Sequence, residues 1–206
     1  YRPNFTLSCN YSVSNRVAWP SWGICFRGVT GRGHKRMNKS NKDVSKFRLD
    51  GQAALITGST RGLGWAIARG MAESGSTVYV NGRDKKVLAD RCKNLIDLGY
   101  DAKPAFFDAT NIEAINRFLD YTDTPIDILV NNAAIRLRKP LSEISPKAFS
   151  EVLEANLTSI YAISRRFASR LEDQQTNGSL INITSIAGPR ARPGDPAYTA
   201  AKGGLE

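Results

Sequence analysis

A tyrosine and a lysine stand four residues apart near the end of the 206-residue chain, as Tyr198-Thr199-Ala200-Ala201-Lys202. On a helix that spacing puts both side chains on one face. An isolated phenol titrates at about 10, too high to cycle its proton easily at neutral pH. A neighbouring ammonium favours the phenolate, so the two residues can be coupled. Reducing a carbonyl needs a proton of this kind for the oxygen, a hydride for the carbon, and a group that polarises the C=O. Taken alone the motif is frequent by chance, and a pair of surface residues on a helix is the alternative.

The elements that would position such a pair are regular from Gln52 onward. Short apolar runs bounded by Gly, Asn or Asp predict buried strands at 53–57, 77–81, 103–108, 126–131 and 179–184. Stretches of helical period lie between them at 64–74, 85–98, 112–121 and 147–172. Asp84 is placed to cap the second of these helices and Thr110 the third, while Ser145-Pro146 reads as the start of the fourth. Alternating strands and helices predict an α/β fold, a doubly wound parallel sheet covered on both faces. Ligands of such sheets bind at the carboxyl ends of the strands, where the strand order reverses.

The first strand runs into "TGSTRGLGWAIA", from Thr57 to Ala68. Gly58, Gly62 and Gly64 permit a tight turn and close approach of a phosphate to the backbone. The helix behind them offers unpaired N–H groups and the positive end of its dipole. The spacing is GxxxGxG rather than the commoner GxGxxG. Thr-Gly-x-x-x-Gly-x-Gly resembles the short-chain dehydrogenases/reductases in their compact branch, and the resemblance covers the chain from about Gly51 onward. It implies a Rossmann-type sheet and a nicotinamide cofactor held by Gly58, Ser59, Thr60, Arg61, Gly62, Leu63 and Gly64. It also places Asp108 and Ala109 at the adenine, and aligns Asn131-Asn132-Ala133-Ala134 with the family's Asn-Asn-Ala-Gly, Ala134 replacing the usual glycine.

The choice of nicotinamide falls to the end of the second strand, "VYVNGRDKK". An acid there binds ribose hydroxyls, whereas an arginine accommodates a 2′-phosphate. Arg83, with Arg61 in the glycine turn, favours NADP over NAD; the alternative has Asp84 on the ribose. In catalysis the resemblance assigns Tyr198 as general acid/base and Lys202 as its partner and ribose ligand. Ser185, thirteen residues before Tyr198, polarises the carbonyl, and Asn156 serves in a proton relay behind the lysine. The implied reaction interconverts a secondary alcohol and a ketone by hydride transfer. A basic loop carrying Arg136, Arg138 and Lys139 fits an anionic substrate, and the stretch resembles gluconate 5-dehydrogenases. A 3-oxoacyl carrier-protein reductase and a catalytically silent nucleotide-binding regulator are the other readings.

Composition narrows the remaining classes. No run approaches the length of a membrane-spanning helix, and the three cysteines with a single histidine give no metal-ligand or disulfide pattern. A reducing, cytoplasmic setting fits this usage. Net charge is +10, and ten of the 29 basic residues fall in residues 1–50 against two acids. The remaining chain is nearly neutral, which argues against a nucleic-acid partner for it. Residues 1–36 contain no acid and read as a leader outside the fold; as an organelle transit peptide they would change the location. Residues 37–206 are then the NAD(P)-binding domain. Family members continue some way beyond the lysine through further strands, a substrate lid and a homotetramer interface. The expectation is therefore a sheet missing its last strands and helices, and a chain that is poorly soluble and nearly inactive as it stands.

Overall fold

The computed structural model describes residues 47–206. The acid-free segment 1–36, with its leader and transit-peptide readings, lies outside the described residues. Strands and helices alternate as β1 (Ala53–Ile56), α1 (Gly62–Glu73), β2 (Thr77–Gly82), α2 (Lys85–Asp97), β3 (Ala102–Phe106) and α3 (Ile112–Tyr121). They continue as β4 (Ile128–Asn131), α4 (Pro146–Leu153), α5 (Ser159–Gln174), β5 (Ser179–Asn182) and α6 (Pro196–Gly204). Every pairing is parallel and the order is β3-β2-β1-β4-β5, the doubly wound α/β sheet expected from the alternation. The order reverses between β1 and β4, so the ligand crevice of such a sheet falls at their carboxyl ends.

Register explains why the centre of the sheet is apolar and its carboxyl edge is not. Ile56 pairs with Val80 on one side and Val130 on the other. One residue further along, β2 and β4 each place a buried asparagine, Asn81 and Asn131. Below that edge, alternate residues of β1 serve opposite faces. Ala54 and Ile56 pack with Ala68, Leu88 and Leu95 of α1 and α2. Ala53 and Leu55 pack with Ile115, Leu119, Ile163 and Phe167 of α3 and α5. A strand buried on both faces reads as a continuous apolar run, and "AALI" does.

Four local features differ from the sequence reading. Asn111 caps α3, its Oδ1 accepting the Ala114 N–H at 2.9 Å. Thr110 instead donates its hydroxyl to Asp108 at 2.8 Å. The expected helix 147–172 is α4 and α5 separated by a π-turn, Glu154–Thr158, in which the Ser159 N–H reaches back to the Glu154 carbonyl. One extra residue in a turn leaves the apolar periodicity on either side almost unchanged, so the pattern conceals it. β3 tolerates Pro104 because, among the described residues, it is an edge strand that pairs with β2 alone. β5 was expected to be buried, yet Leu180 and Ile181 are 37% and 40% exposed. It lies at the opposite edge, paired with β4 alone among the described residues.

Candidate active site

The glycine turn is held by side chains from three strand ends. The Thr57 hydroxyl donates to the Val130 carbonyl at 3.3 Å and accepts the N–H groups of Asn132 and Ala133 at 3.0 Å each. Asn132 returns the link, its Nδ2 donating to the carbonyls of Thr57 and Gly58 at 2.9 and 3.1 Å. Asn81 adds a third tie: its Oδ1 accepts the Gly58 N–H, and its Nδ2 donates to the carbonyls of Ala105 and Phe107. The turn is thus stitched across β1, β2, β3 and β4 before any ligand arrives.

Within that frame the glycines do different things. Gly58 and Gly62 have φ of +61° and +58°, the left-handed region where a side chain is strained. Gly64 is needed for close approach, since a Cβ there would lie 2.4 Å from Asn132 Nδ2 and 2.6 Å from the Gly58 carbonyl oxygen. Arg61 and Leu63 are exposed at the mouth. Among the described residues no side chain caps α1, and its first-turn N–H groups have no side-chain acceptor. That is the donor set an anionic group requires at a helix start.

Other predicted cofactor residues are distributed unevenly. Ser59 is fully buried, its hydroxyl donating to the Ile56 carbonyl at 2.7 Å and accepting the Asn81 N–H at 2.8 Å. It is therefore a brace of the turn, with no face left for a ligand. Thr60 is half-buried against Gly82, and its carbonyl accepts from Arg91 Nε. Arg83 and Asp108 meet at 3.3 Å at the ends of β2 and β3, the arginine side chain 75% exposed. Desolvation pushes the Asp108 carboxyl up, but the Thr110 N–H and hydroxyl and then Arg83 outweigh it and hold it below the usual carboxylate range. Ala109 follows, half-buried, and Ala134 is exposed beyond Ala133.

The second half of the site is built on α6. Lys202 is 2% exposed, and its Nζ donates to the Ile183 carbonyl at 2.6 Å just beyond β5. Burial pushes its ammonium below the ordinary lysine range. The same Nζ lies 5.8 Å from the centroid of the half-buried Tyr198 ring, as the four-residue spacing required. Ser185 occupies the loop after β5, partly exposed, accepting the Ala187 N–H at 3.2 Å. That loop is seated on α6: a Cβ at Gly188 would stand 3.0 Å from the Lys202 carbonyl oxygen. Asn156 sits in the π-turn, fully buried, its amide exchanging two 2.8 Å bonds with the N–H and carbonyl of Ile135. Its side chain is committed to the loop after β4.

That loop departs from expectation at Arg136, which is engaged with Asp195 rather than free for a substrate anion. Arg138 and Lys139 do line a cleft of about 510 Å³, together with Arg192 and Asp195. Sequence reasoning missed Arg192, Asp195 and Asn81. The signal for Asn81 was present, as the one polar residue inside "VYVNG". Cys92 is no nucleophile, because burial pushes its thiol up to about 11. Among the described residues no group of acids, cysteines or histidine could hold a metal, and no helix is long and apolar enough to cross a membrane.

A glycine turn at the switch point of a parallel sheet and a Tyr-x-x-x-Lys helix following the last strand of that sheet are the features that place the chain in a class. The chain belongs to the short chain dehydrogenase family, whose model matches residues 52–206. It is 34% identical over 163 residues to gluconate 5-dehydrogenase of Gluconobacter oxydans, covering 78% of this chain and 63% of that protein. It is also 34% identical over 161 residues to 3-oxoacyl-(acyl-carrier-protein) reductase of Synechocystis, covering 76% and 65%. A gluconate 5-dehydrogenase from Burkholderia cenocepacia, solved in complex with NADP and tartrate, superposes with a TM-score of 0.72 at 36% identity, covering 79% of this chain and 64% of that one. The chain thus spans just under two thirds of the length of these relatives.

Proposed function

We propose that residues 37–206 form the cofactor-binding and catalytic portion of an NADP(H)-dependent oxidoreductase that interconverts a sugar-acid alcohol and the corresponding ketone. The observation that carries the reading is the buried Lys202 ammonium tied to Ile183 beside the Tyr198 ring, on the helix that packs on the Ser185 loop. The uncapped start of α1 and the glycine turn fit the pyrophosphate of a dinucleotide. Arg83 and Arg61, both exposed at that end, fit a 2′-phosphate. When bound, the nicotinamide supplies the hydride.

The chain's own groups do the rest. Tyr198 passes its phenolic proton to the carbonyl oxygen in reduction and takes it back in oxidation. Ser185 donates a hydrogen bond to that oxygen and polarises the C=O. Lys202 stabilises the phenolate left on Tyr198, and its burial strengthens that interaction. Asn156 supports the relay by fixing the loop around Ile135. Arg138, Lys139 and Arg192 give the cleft a cationic lining suited to a carboxylate. The similarity to a 3-oxoacyl reductase, at the same 34% identity as the gluconate enzyme, keeps an acyl thioester as the second reading.

The cofactor assignment is tested by steady-state kinetics of the full-length protein. A charge-assisted contact from Arg83 to a 2′-phosphate contributes about 1.5–3 kcal/mol, so Arg83→Ala should raise KM for NADPH at least roughly tenfold. KM for NADH should be unaffected by the same substitution. A parent enzyme that prefers NADH by roughly tenfold, about 1.4 kcal/mol, would contradict the assignment.

A further inference from the structure

Asp195 occupies the N-cap position of α6, yet its side chain caps nothing, and the residue is 2% exposed. Its Oδ2 instead receives Arg136 Nε and Nη2 at 2.9 and 2.7 Å, while Oδ1 is buried without a partner among the described residues. A buried carboxylate that forgoes its helix cap is held there by something else, and Arg136 is that group. The arginine reaches it from the loop after β4, two residues beyond Ala134. Its Cζ lies 4.3 Å from the centroid of the Tyr198 ring, nearer than the Lys202 Nζ at 5.8 Å. The backbone immediately before it is fixed as well, because Asn156 pairs with both polar groups of Ile135.

We propose that Asp195 and Arg136 are positioning residues for Tyr198: the aspartate fixes the guanidinium, and the guanidinium covers one face of the ring. The proposal rests on Tyr198 being the acid/base. A planar cation on an aromatic face resists rotation of the ring as well as attracting it. The phenol is then restrained from two independent elements, α6 that carries it and the loop after β4. Asn156 belongs to the same device, since its π-turn sets the backbone from which Arg136 extends. A loop-borne contact of this kind matters because small misplacements of a reacting group cost up to about 10²-fold in rate.

The test uses Arg136→Met, Arg136→Lys, Asp195→Asn and the Met/Asn double variant in the full-length protein. Turnover is measured together with NADPH affinity by fluorescence titration, which needs no turnover. Arg136→Met should lower kcat by roughly ten- to a hundredfold while the NADPH Kd stays within about twofold. Arg136→Lys, which keeps a cation but not the fork, should recover part of that loss. Asp195→Asn should lower kcat in the parent and have little further effect in the Arg136→Met background, because it acts through the arginine. A kcat for Arg136→Met within about twofold of the parent overturns the proposal. So does a loss matched by equal loss of NADPH affinity, or an Asp195→Asn effect undiminished in the double variant. Tyr198→Phe separates the two levels. If it turns over normally, the acid/base reading fails; if it is inactive while Arg136→Met is normal, only the positioning role fails.

Discussion

Tyr198→Phe in the full-length protein should lose turnover by a factor on the order of 10²–10⁴, the range a positioned general acid contributes. The substitution removes one hydroxyl and keeps the ring. Arg136 can still stack on that ring, and Lys202 can still donate to the Ile183 carbonyl. The glycine turn is stitched by hydrogen bonds of Thr57, Asn81 and Asn132 in which Tyr198 takes no part. NADPH affinity should therefore be retained, and a fluorescence titration beside the rate measurement checks both halves. Turnover near the parent's would remove Tyr198 from the chemistry.

Lys202→Met should have opposite effects on activity and on stability. Among the described residues the buried ammonium has one carbonyl for a partner, and no carboxylate pairs with it. Placing a charge there costs several kcal/mol, of which the carbonyl returns only part. Methionine fills a similar volume without that cost, so the variant should be more stable by about 1 kcal/mol, or roughly 2–4 °C in Tm at this size. The pH dependence has a definite sign. Burial lowers the folded-state pKa of Lys202 below its unfolded value, so the folded protein binds fewer protons and stability rises with pH through that window. The cost is present in full below the lowered pKa and fades above it. The gain from methionine should therefore be largest at neutral pH and shrink on the alkaline side. Turnover should fall about 10²-fold or more, since the ammonium that stabilises the phenolate from its own helix is gone. Thermal melts across pH, read beside kcat, test this; a variant less stable than the parent at neutral pH would contradict it.

The parts of the molecule legible in its sequence are those that local geometry dictates. β1 announces itself because a strand buried on both faces must be apolar at every position, and Ala53 to Ile56 are. Asp84 and Ser145 announce themselves as caps because the N–H groups they accept from lie two or three residues along the chain. Gly58 and Gly62 are legible for the same local reason, a backbone conformation that other residues resist. Tyr198 and Lys202 meet because helix geometry alone joins residues four apart.

What stayed hidden depends on partners distant in sequence. Arg136 reads as one of three loop cations until Asp195, 59 residues away, takes it. Asp195 stands at the N-cap position of α6, yet its side chain caps nothing and pairs with Arg136 instead. Ser59 falls inside the glycine signature, but its hydroxyl belongs to Asn81 on the next strand. Thr110 and Asn111 are both acceptable caps, and the competing acceptor at Asp108 decides between them. The π-turn at Asn156 has no compositional mark, since it alters hydrogen-bond pairing by one residue without altering which faces are apolar.

Reduction of a sugar-acid ketone with NADPH at this site is open to direct assay. Purified full-length protein is given NADPH with 5-ketogluconate, and in parallel with an acetoacetyl thioester, and cofactor oxidation is followed with product analysis. One NADPH should be oxidised per ketone reduced, with kcat/KM for 5-ketogluconate at least roughly tenfold above that for the thioester, about 1.4 kcal/mol of transition-state preference. No NADPH oxidation with either ketone, or turnover confined to the thioester, would contradict it.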